Sequence, residues 1–346
     1  MILIDSVYIN IGGGKVLLEE LINYLIENTN INDFHFLFDS RLNLSKEILN
    51  NNIIYTEVNA NEASRKDFYK QNIHKFNKFV CLSNVPPPIL INSKEVVILF
   101  HNALLLGNFD SGFNLSQRLK FFVKKYYIKL KLSKNYKWVV QTEWMKNQLY
   151  FKLNIEYNKI NIIPFFREEK FVDRLSIKKK VDEIKFLYVA DGSPQKNHKK
   201  LINAWAKITS INNLKLELHL TIPPSNKKLI EIIQLHNEKY KNIINHGSCN
   251  RDKINLLYSN CKYFIFPSLI ESFGLPLIEA ANAGCEILAS NRKCFEDIII
   301  PLVSFEPTDE TSIEYALQYV INNPNLTGTK KLIINQINDF FKLIKC

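Results

Sequence analysis

Two glutamates in the stretch 266–284 have the spacing of a site for a ligand that carries both hydroxyls and negative charge. Glu271 precedes a predicted turn, and Glu279 is expected in the first turn of the helix that follows. A carboxylate accepts hydrogen bonds from two neighbouring sugar hydroxyls, and the N–H groups at a helix N-terminus favour an anion. The N–H groups expected to face this anion belong to Phe273, Gly274 and Leu275. The alternative is a helix capped by acids, since a carboxylate near a helix N-terminus is favourable by itself.

Three of the 10 glycines in the chain are consecutive: Gly12, Gly13 and Gly14, followed by Lys15. They follow the first predicted strand and open a predicted helix, and glycine there lets a ligand approach the backbone closely. The spacing matches neither the G-x-G-x-x-G dinucleotide loop nor a P-loop. The alternative interpretation is a tight turn from strand to helix.

A basic segment between 118 and 137 contains eight basic residues and no acid, interleaved with aromatic and aliphatic residues. The basic residues are Arg118, Lys120, Lys124, Lys125, Lys129, Lys131, Lys134 and Lys137. A basic helix with apolar residues can lie on an anionic bilayer, at about 1 kcal/mol for each Lys or Arg near the surface. The alternative is an ordinary surface helix that packs its apolar stripe on the sheet. A nucleic-acid role is disfavoured, because no nucleic-acid motif accompanies the charge.

Apolar runs alternate with helical patterns along the chain, which predicts parallel sheets covered by helices. The first series has strands at 1–7, 33–38, 78–82, 96–100 and 138–141, and helices at 15–28 and 116–134. The second series has strands at 184–190, 215–221, 243–245, 262–266 and 286–289, and helices at 199–209, 229–239, 251–259 and 276–283. We therefore predict two doubly wound α/β domains, 1–165 and 166–330, with a seam near 164–185. A C-terminal helix at about 330–346 is expected to pack back on the first domain.

The composition excludes several classes of protein. The 346 residues are 46% hydrophobic and 23% charged, with a net charge of +11, which is a globular composition and not a disordered one. The six cysteines form no C-x-x-C pair, which indicates reduced cysteines and no structural zinc. We expect a cytoplasmic protein, because no run reaches the ~20 apolar residues of a membrane span and the N-terminus lacks a basic region.

The string from Glu271 to Glu279, with Phe-Gly-Leu-Pro inside it, resembles the signature of retaining GT-B glycosyltransferases of family 4, the glycosyl transferases group 1. Three other segments are similar to this family. Residues 193–205 resemble its diphosphate loop and next helix, 246–261 its base-binding turn and next helix, and 305–309 its closing segment. The resemblance is strong over about 184–320 and weaker over 1–165. It implies a GT-B fold, in which two Rossmann-like domains face each other across a cleft.

The resemblance implies a role for each matching residue. Glu279 would hold the nucleotide ribose, Glu271 would approach the transferred sugar, and Lys196 would neutralise the diphosphate. The amides of 273–275 would contact the sugar and the diphosphate. His101 would contact the donor sugar, and the glycine loop would admit a phosphate or the acceptor. The other residues implied in donor binding are Ser193, Asn197, Gly247 and Ser248.

One position departs from the family pattern. Many members carry an arginine where this chain has Asp191. Either Lys199 or Lys200 would then supply the second cation, or both would face solvent. Structural alternatives also stay open for two candidates: Lys196 as a solvated surface lysine, and His101 as a buried structural histidine. His198 and His246 are further candidates for a histidine in the site.

The resulting hypothesis is a retaining glycosyltransferase that moves a sugar from a nucleoside diphosphate donor to a glycan or lipid-linked glycan. The expected pathway is bacterial surface polysaccharide synthesis, such as lipopolysaccharide or capsule. Because the chain has no D-x-D string, we expect no metal and no cofactor. The expected partners are the donor, the acceptor and an anionic membrane surface, with a peripheral location on the inner face of the cytoplasmic membrane. The alternatives are an inverting GT-B transferase, a sugar-nucleotide epimerase and a catalytically silent GT-B partner subunit.

Overall fold

The computed structural model describes residues 1–107, 113–169, 171, 183–211 and 215–345. The chain divides into two compact units. Unit 1 contains Met1–Asn108, Asn114–Arg167 and Ile334–Cys346, and unit 2 contains Phe109–Phe113 and Glu168–Ile333. The seam predicted at 164–185 is described only at its two ends, and Cys346 and the lysines of 178–180 lie outside the described residues.

Unit 1 is built on a parallel sheet of seven strands in the order β3-β2-β1-β4-β5-β6-β7. The strands are β1 (Ile2–Asp5), β2 (Phe34–Asp39), β3 (Ile54–Val58), β4 (Lys78–Cys81), β5 (Glu95–Leu99), β6 (Lys137–Val140) and β7 (Ile160–Ile162). The helices are α1 (Gly12–Asn28), α2 (Lys46–Leu49), α3 (Glu62–Asn72), α4 (Leu115–Leu130) and α5 (Glu143–Leu153). The central strands β1 and β4 are buried along their whole length, as expected where helices cover both faces of a parallel sheet.

Unit 2 is built on a parallel sheet of six strands in the order β10-β9-β8-β11-β12-β14, with a separate antiparallel pair β13-β15. The strands are β8 (Glu183–Tyr188), β9 (Lys215–Leu220), β10 (Ile243–Asn245), β11 (Tyr263–Phe266), β12 (Glu286–Ser290), β13 (Ile299–Ile300), β14 (Val303–Phe305) and β15 (Lys330–Lys331). The helices are α6 (His198–Ile211), α7 (Lys227–Lys239), α8 (Arg251–Asn260), α9 (Leu275–Asn282) and α10 (Glu310–Asn322). The prediction of two α/β domains with parallel sheets is confirmed.

The helix α11 (Ile337–Lys345) belongs to unit 1 although it follows unit 2 in the chain. Phe340 is fully buried, and its ring stacks on Phe165 with a centroid distance of 4.8 Å. The Lys78 ammonium donates a hydrogen bond to the Leu343 carbonyl oxygen at 3.0 Å. The core of unit 1 is therefore built from two distant parts of the chain.

Several elements were missed by the sequence patterns, among them β3, α3, α5 and α10. The edge strand β3 has no fully buried residue, so the apolar signal of a central strand is missing there. Most residues of α3 are polar, and its three buried side chains include a charged one, Arg65. The helix predicted at 116–134 ends at Leu130.

Candidate active site

The strand order of unit 2 reverses between β8 and β11. Ligands of open parallel sheets bind outside the carboxyl ends of the strands at such a switch point. Two loops start there, 189–197 after β8 and 267–274 after β11, and the Leu269 amide donates to the Gln195 carbonyl oxygen at 2.8 Å. These loops contain the predicted site residues Ser193, Lys196, Asn197, Glu271, Phe273 and Gly274.

Lys196 and Glu271 form an ion pair between these two loops. The Lys196 Nζ lies 2.5 Å from Glu271 Oε1, and each side chain is 15% exposed. The Tyr188 hydroxyl supports this arrangement, because it donates to the Lys196 carbonyl oxygen at 2.8 Å and lies 2.9 Å from Ser268 Oγ. An ammonium carries three N–H donors, so Lys196 can bind an anionic oxygen while it stays close to Glu271.

The helix α9 begins at Leu275, one residue earlier than predicted, and this changes the position of Glu279. Gly274, in the left-handed region with φ 64°, is the N-cap and has no side chain to cap the helix. Glu279 is the fifth helical residue, so its predicted place in the first turn is wrong. A favourable interaction with the helix N-terminus is confined to the first turn, so it does not account for this carboxylate.

Glu279 is 8% exposed, and both of its carboxylate oxygens accept hydrogen bonds from α8. Arg251 Nη1 donates to Oε1 at 2.7 Å, and the Tyr258 hydroxyl donates to Oε2 at 3.0 Å. Burial raises the pKa of Glu279, while Arg251 and Tyr258 oppose this rise. Each carboxylate oxygen has a second lone pair, so the group keeps the capacity to accept bonds from ligand hydroxyls.

Arg251 joins Glu279 to a second acid, Glu169. Its Nε donates to Glu169 Oε1 at 2.7 Å, and Asn255 Nδ2 donates to Glu169 Oε2 at 2.9 Å. The sequence reasoning missed Arg251, although a signal was present. A basic residue at the first position of α8 is disfavoured by the helix dipole, which indicates that an acid nearby compensates it.

The loop 191–193 packs on the start of α7. Asn226, the N-cap of α7, donates from Nδ2 to the Gly192 carbonyl oxygen at 2.7 Å. A Cβ on Gly192 would lie 2.0 Å from this Nδ2, so any side chain at position 192 would displace Asn226 from its present position. A cavity of about 540 Å³ opens beside the loop, lined by Asp191, Gly192, Ser193, Pro223, Ser225, Asn226, Lys227 and Lys228. The two lysines were not singled out by the sequence analysis.

The other donor-binding candidates follow the strands of unit 2. Asn197 has a left-handed backbone, and its Nδ2 donates to two backbone carbonyl oxygens, so its amide hydrogens hold the loop itself. Gly247 is also left-handed, with φ 69°, and the neighbouring Ser248 is exposed. The Nε2 atom of His246 lies 2.9 Å from the Nδ1 atom of His219.

Three more side chains near the loop after β8 were candidates. Lys200 lies 3.9 Å from Glu310 of α10, and Lys199 is exposed. His198 is buried, and neither of its ring nitrogens has a hydrogen-bond partner among the described residues. Burial lowers the pKa of His198 to about 3, so the ring is neutral at pH 7.

In unit 1 the strand order reverses between β1 and β4, and the glycine loop meets His101 within this unit. A Cβ on Gly14 would lie 3.1 Å from His101 Cε1, so glycine lets the ring lie against the start of α1. The His101 amide donates to Asn84 Oδ1 at 2.6 Å, and its Nε2 lies 2.8 Å from the Leu82 carbonyl oxygen. Burial lowers the pKa of His101, so the imidazole is neutral at pH 7.

The rest of the glycine loop is more open. Gly12 and Gly13 are exposed, and α1 starts at Gly12. Lys15 lies 3.6 Å from Glu19, one helical turn further along α1. The candidate contacts of this loop with a ligand therefore come from its backbone at 12–13.

A buried ion pair that the sequence reasoning missed supports the histidine. Arg65 Nε donates to Asp5 Oδ2 at 2.8 Å, and both side chains are 0% exposed. The other guanidinium nitrogens of Arg65 donate to the carbonyl oxygens of Val85 and Pro86. These bonds fix the loop that contains Asn84, the partner of the His101 amide. An aspartate at the end of an otherwise apolar strand was the signal for a buried partner.

The helix α4 keeps its apolar stripe exposed. Ile128 is its buried residue, whereas six large apolar side chains on the opposite side are 56% to 84% exposed. These six are Leu115, Leu119, Phe122, Val123, Tyr126 and Leu130. At 100° per residue they form one stripe, and Arg118, Lys120 and Lys129 lie beside it, whereas Lys124 is exposed on another side of the helix. Lys125 and Lys131 instead donate to backbone carbonyl oxygens of unit 1.

The described residues show neither a metal-binding cluster nor a membrane-spanning helix. No set of three or more His, Cys, Asp or Glu side chains in the described ranges is arranged to hold a metal ion. Within the same ranges, each helix is too short or too polar to cross a bilayer. No disulfide joins any of the five cysteines among the described residues.

Known proteins resemble this chain in sequence over its second half and in fold. Residues 169–336, just under half of the chain, match the family model described as glycosyl transferases group 1. The two units have the GT-B fold. The serotype-specific mannosyltransferase WbdA of Escherichia coli is 29% identical over 109 residues, which are 31% of this chain and 13% of WbdA. The chain thus spans about an eighth of the length of this relative.

Solved structures resemble this chain over most of its length. The lipopolysaccharide outer core galactosyltransferase WaaB, in its apo form, has a TM-score of 0.64 at 16% identity, covering 99% of this chain and 94% of WaaB. Anabaena HepE in complex with UDP-glucose has a TM-score of 0.66 at 12% identity, covering 93% of this chain and 90% of HepE. At these identities the likeness shows the fold.

Proposed function

We propose that the chain is a retaining glycosyltransferase that moves a sugar from a nucleoside diphosphate donor to a glycan or lipid-linked glycan. The Lys196–Glu271 pair, at the switch point of unit 2, is the observation that carries this proposal. Negative charge grows on the leaving diphosphate as its bond to the sugar breaks, and a positioned ammonium stabilises that charge. The names of WbdA and WaaB and the UDP-glucose complex of HepE support a sugar-nucleotide donor.

The candidate polar groups of unit 2 each have a role in this proposal. Lys196 and the N–H groups of 273–275 bind the diphosphate, and Glu279 accepts hydrogen bonds from the ribose. Glu271 lies beside Lys196 and contacts the transferred sugar. A front-face reaction with an oxocarbenium-like transition state retains the anomeric configuration without an enzymic nucleophile, so both glutamates act by positioning and charge.

The test begins with the donor. UDP-sugars and GDP-sugars are screened for a rise in melting temperature, because a ligand of the folded state stabilises it. NMR of the product formed from the stabilising donor then gives the anomeric configuration. A retained anomer supports the proposal, whereas an inverted anomer or an epimerised donor contradicts it. A chain that no donor stabilises is not a transferase of this kind, and that outcome favours the silent partner subunit.

We further propose that transfer needs no metal. In this proposal Lys196 and the N–H groups at the start of α9 supply the positive charge that a divalent cation would otherwise bring to the diphosphate. Transfer activity should therefore be unchanged in excess EDTA. Loss of activity that magnesium or manganese restores would contradict this proposal.

A role at an anionic membrane surface is also part of the proposal. The exposed apolar stripe of α4 and its basic neighbours combine the two features of an interfacial helix. A lipid-linked acceptor in lipopolysaccharide or capsule synthesis would be presented at such a surface, and the names of WbdA and WaaB support a surface polysaccharide. The cytoplasmic membrane face is the proposed location.

A further inference from the structure

We propose that Arg251 is a positioning residue for the nucleotide: it holds the Glu279 carboxylate for the ribose by sharing one guanidinium between Glu279 and Glu169. This inference rests on the proposed function, in which Glu279 binds the ribose hydroxyls. Arg251 acts through Glu279 and need not touch the ligand.

Two side chains of α8 fix the Glu279 carboxylate. Arg251 Nη1 and the Tyr258 hydroxyl, both from α8, donate to different carboxylate oxygens at 2.7 and 3.0 Å. The guanidinium is itself fixed, because its Nε donates to Glu169 Oε1 at 2.7 Å. The second lone pairs of both Glu279 oxygens remain to accept two ribose hydroxyls.

Two buried polar atoms beside this network have no hydrogen-bond partner among the described residues. They are Arg251 Nη2, a donor, and Asn255 Oδ1, an acceptor. Unpaired buried polar atoms are costly, so this donor and this acceptor indicate a polar group that the described residues do not supply. A bound nucleotide or an ordered water held with it meets this need.

The charges around Glu279 have opposite effects on it. Burial raises the pKa of Glu279, the guanidinium of Arg251 and the hydroxyl of Tyr258 lower it, and the charge of Glu169 raises it. Because only the carboxylate form can accept two hydroxyl hydrogens, ribose binding is present above this pKa and is lost as pH falls through it. Removal of Arg251 raises the pKa further, and removal of the Glu169 charge lowers it.

The experiment compares nucleotides that do and do not carry the ribose hydroxyls. Affinities for UDP and GDP, and for their 2′,3′-dideoxy forms, are measured by calorimetry between pH 5.5 and 8.5. For the base that binds, the wild-type protein should prefer the ribonucleotide by about 10-fold or more, the range of hydrogen bonds to a charged group. In Arg251→Met this preference should be lost at a higher pH than in the wild-type protein as the pH is lowered. The affinity for the dideoxy nucleotide should be nearly unchanged.

Two further variants test the shift expected for Arg251→Met: one should restore the wild-type pH dependence and the other should shift it in the opposite direction. Arg251→Lys keeps the positive charge and should return the pH of half-loss towards the wild-type value. Glu169→Gln should shift the pH of half-loss downwards, and it keeps the test available if Arg251→Met does not fold. Lys207→Met removes a cation of α6 that lies 3.8 Å from Glu314 of α10; it is the control and should leave the profile unchanged.

The outcomes separate the inference from the function on which it rests. If Arg251→Met weakens both forms of the nucleotide equally at every pH, Arg251 is a structural clamp and the inference is wrong. If wild type shows a ribose preference that Glu279→Gln abolishes while Arg251→Met keeps the wild-type profile, the inference alone fails. If the wild-type protein binds neither UDP nor GDP, the proposed function fails.

Discussion

Lys196 and Glu271 neutralise each other in the structure, so an anionic ligand must share the lysine with the glutamate. The two side chains therefore have opposite effects on a bare diphosphate: the ammonium attracts it and the carboxylate repels it. The same carboxylate becomes useful when a sugar is attached, because it can accept hydroxyl hydrogens and face positive charge on the anomeric carbon.

The opposite effects of Lys196 and Glu271 on a diphosphate predict different results for a substitution of each residue. Lys196→Met should lower kcat/KM for transfer by about 10²-fold to 10³-fold, the cost of removing one group that stabilises developing charge. Glu271→Gln should also lower transfer, yet it should tighten binding of the sugar-free nucleoside diphosphate. Calorimetry and initial rates measure both effects. If Glu271→Gln binds the nucleoside diphosphate more weakly than the wild-type protein does, the pair does not contact the diphosphate.

At the scale of elements, α4 is attached to unit 1 along one side and presents apolar side chains on the other. Tyr127 donates to Glu62 at 2.5 Å and Lys131 donates to the Pro88 carbonyl oxygen at 2.8 Å, so the helix has a fixed orientation. A fixed helix with an exposed apolar stripe can insert it into a bilayer without rearrangement. Insertion of one apolar side chain contributes roughly 1.5–3 kcal/mol.

The helix therefore predicts binding to anionic vesicles. The protein should sediment with phosphatidylglycerol vesicles at low salt, less at 0.5 M salt, and little with phosphatidylcholine vesicles, because the basic residues respond to surface charge. Leu119→Glu with Phe122→Glu should reduce binding about 10-fold or more. Leu235→Glu, an equally exposed position on α7, is the matched control. Equal binding to both lipids, or no effect of the double change, would contradict a docking role for α4.

Strand-helix alternation and the loops after strands could be read from the sequence, because burial on both faces of a parallel sheet leaves long apolar runs. The fold class and the loops of unit 2 followed from this. The partners of the site residues did not. Arg251 and Glu279 are 28 residues apart, and their contact depends on how α8 packs beside α9. Likewise, Gly14 and His101 were predicted separately, and only the structure shows that the ring of His101 lies close against Gly14.

At the scale of the whole molecule, unit 1 depends on residues 334–346, which follow unit 2 in the chain. Phe340 is the buried centre of this contribution, with 0% exposure and a ring stacked on Phe165. The stability of unit 1 is therefore set partly by the far end of the sequence.

Substitution of this ring should destabilise one unit selectively. Phe340→Ala removes a buried aromatic side chain and should cost about 3–5 kcal/mol of unfolding free energy in unit 1. Hydrogen exchange should accelerate in β1, β4 and β5, and stay near wild type in β8 and β11. Phe341→Ala, which alters a partly exposed neighbour, should have a much smaller effect. Equal acceleration in both sheets would show that the units do not unfold independently.

The discontinuous composition of unit 1 has a consequence for synthesis on the ribosome. Domains generally fold as units while the chain emerges, with N-terminal ones first. Here β1 to β7 emerge first, but the ring of Phe165 has no Phe340 to stack on until all of unit 2 has been translated. The unit that begins first is thus completed last, and its sheet must wait with one apolar surface uncovered during the time that the second unit needs to form.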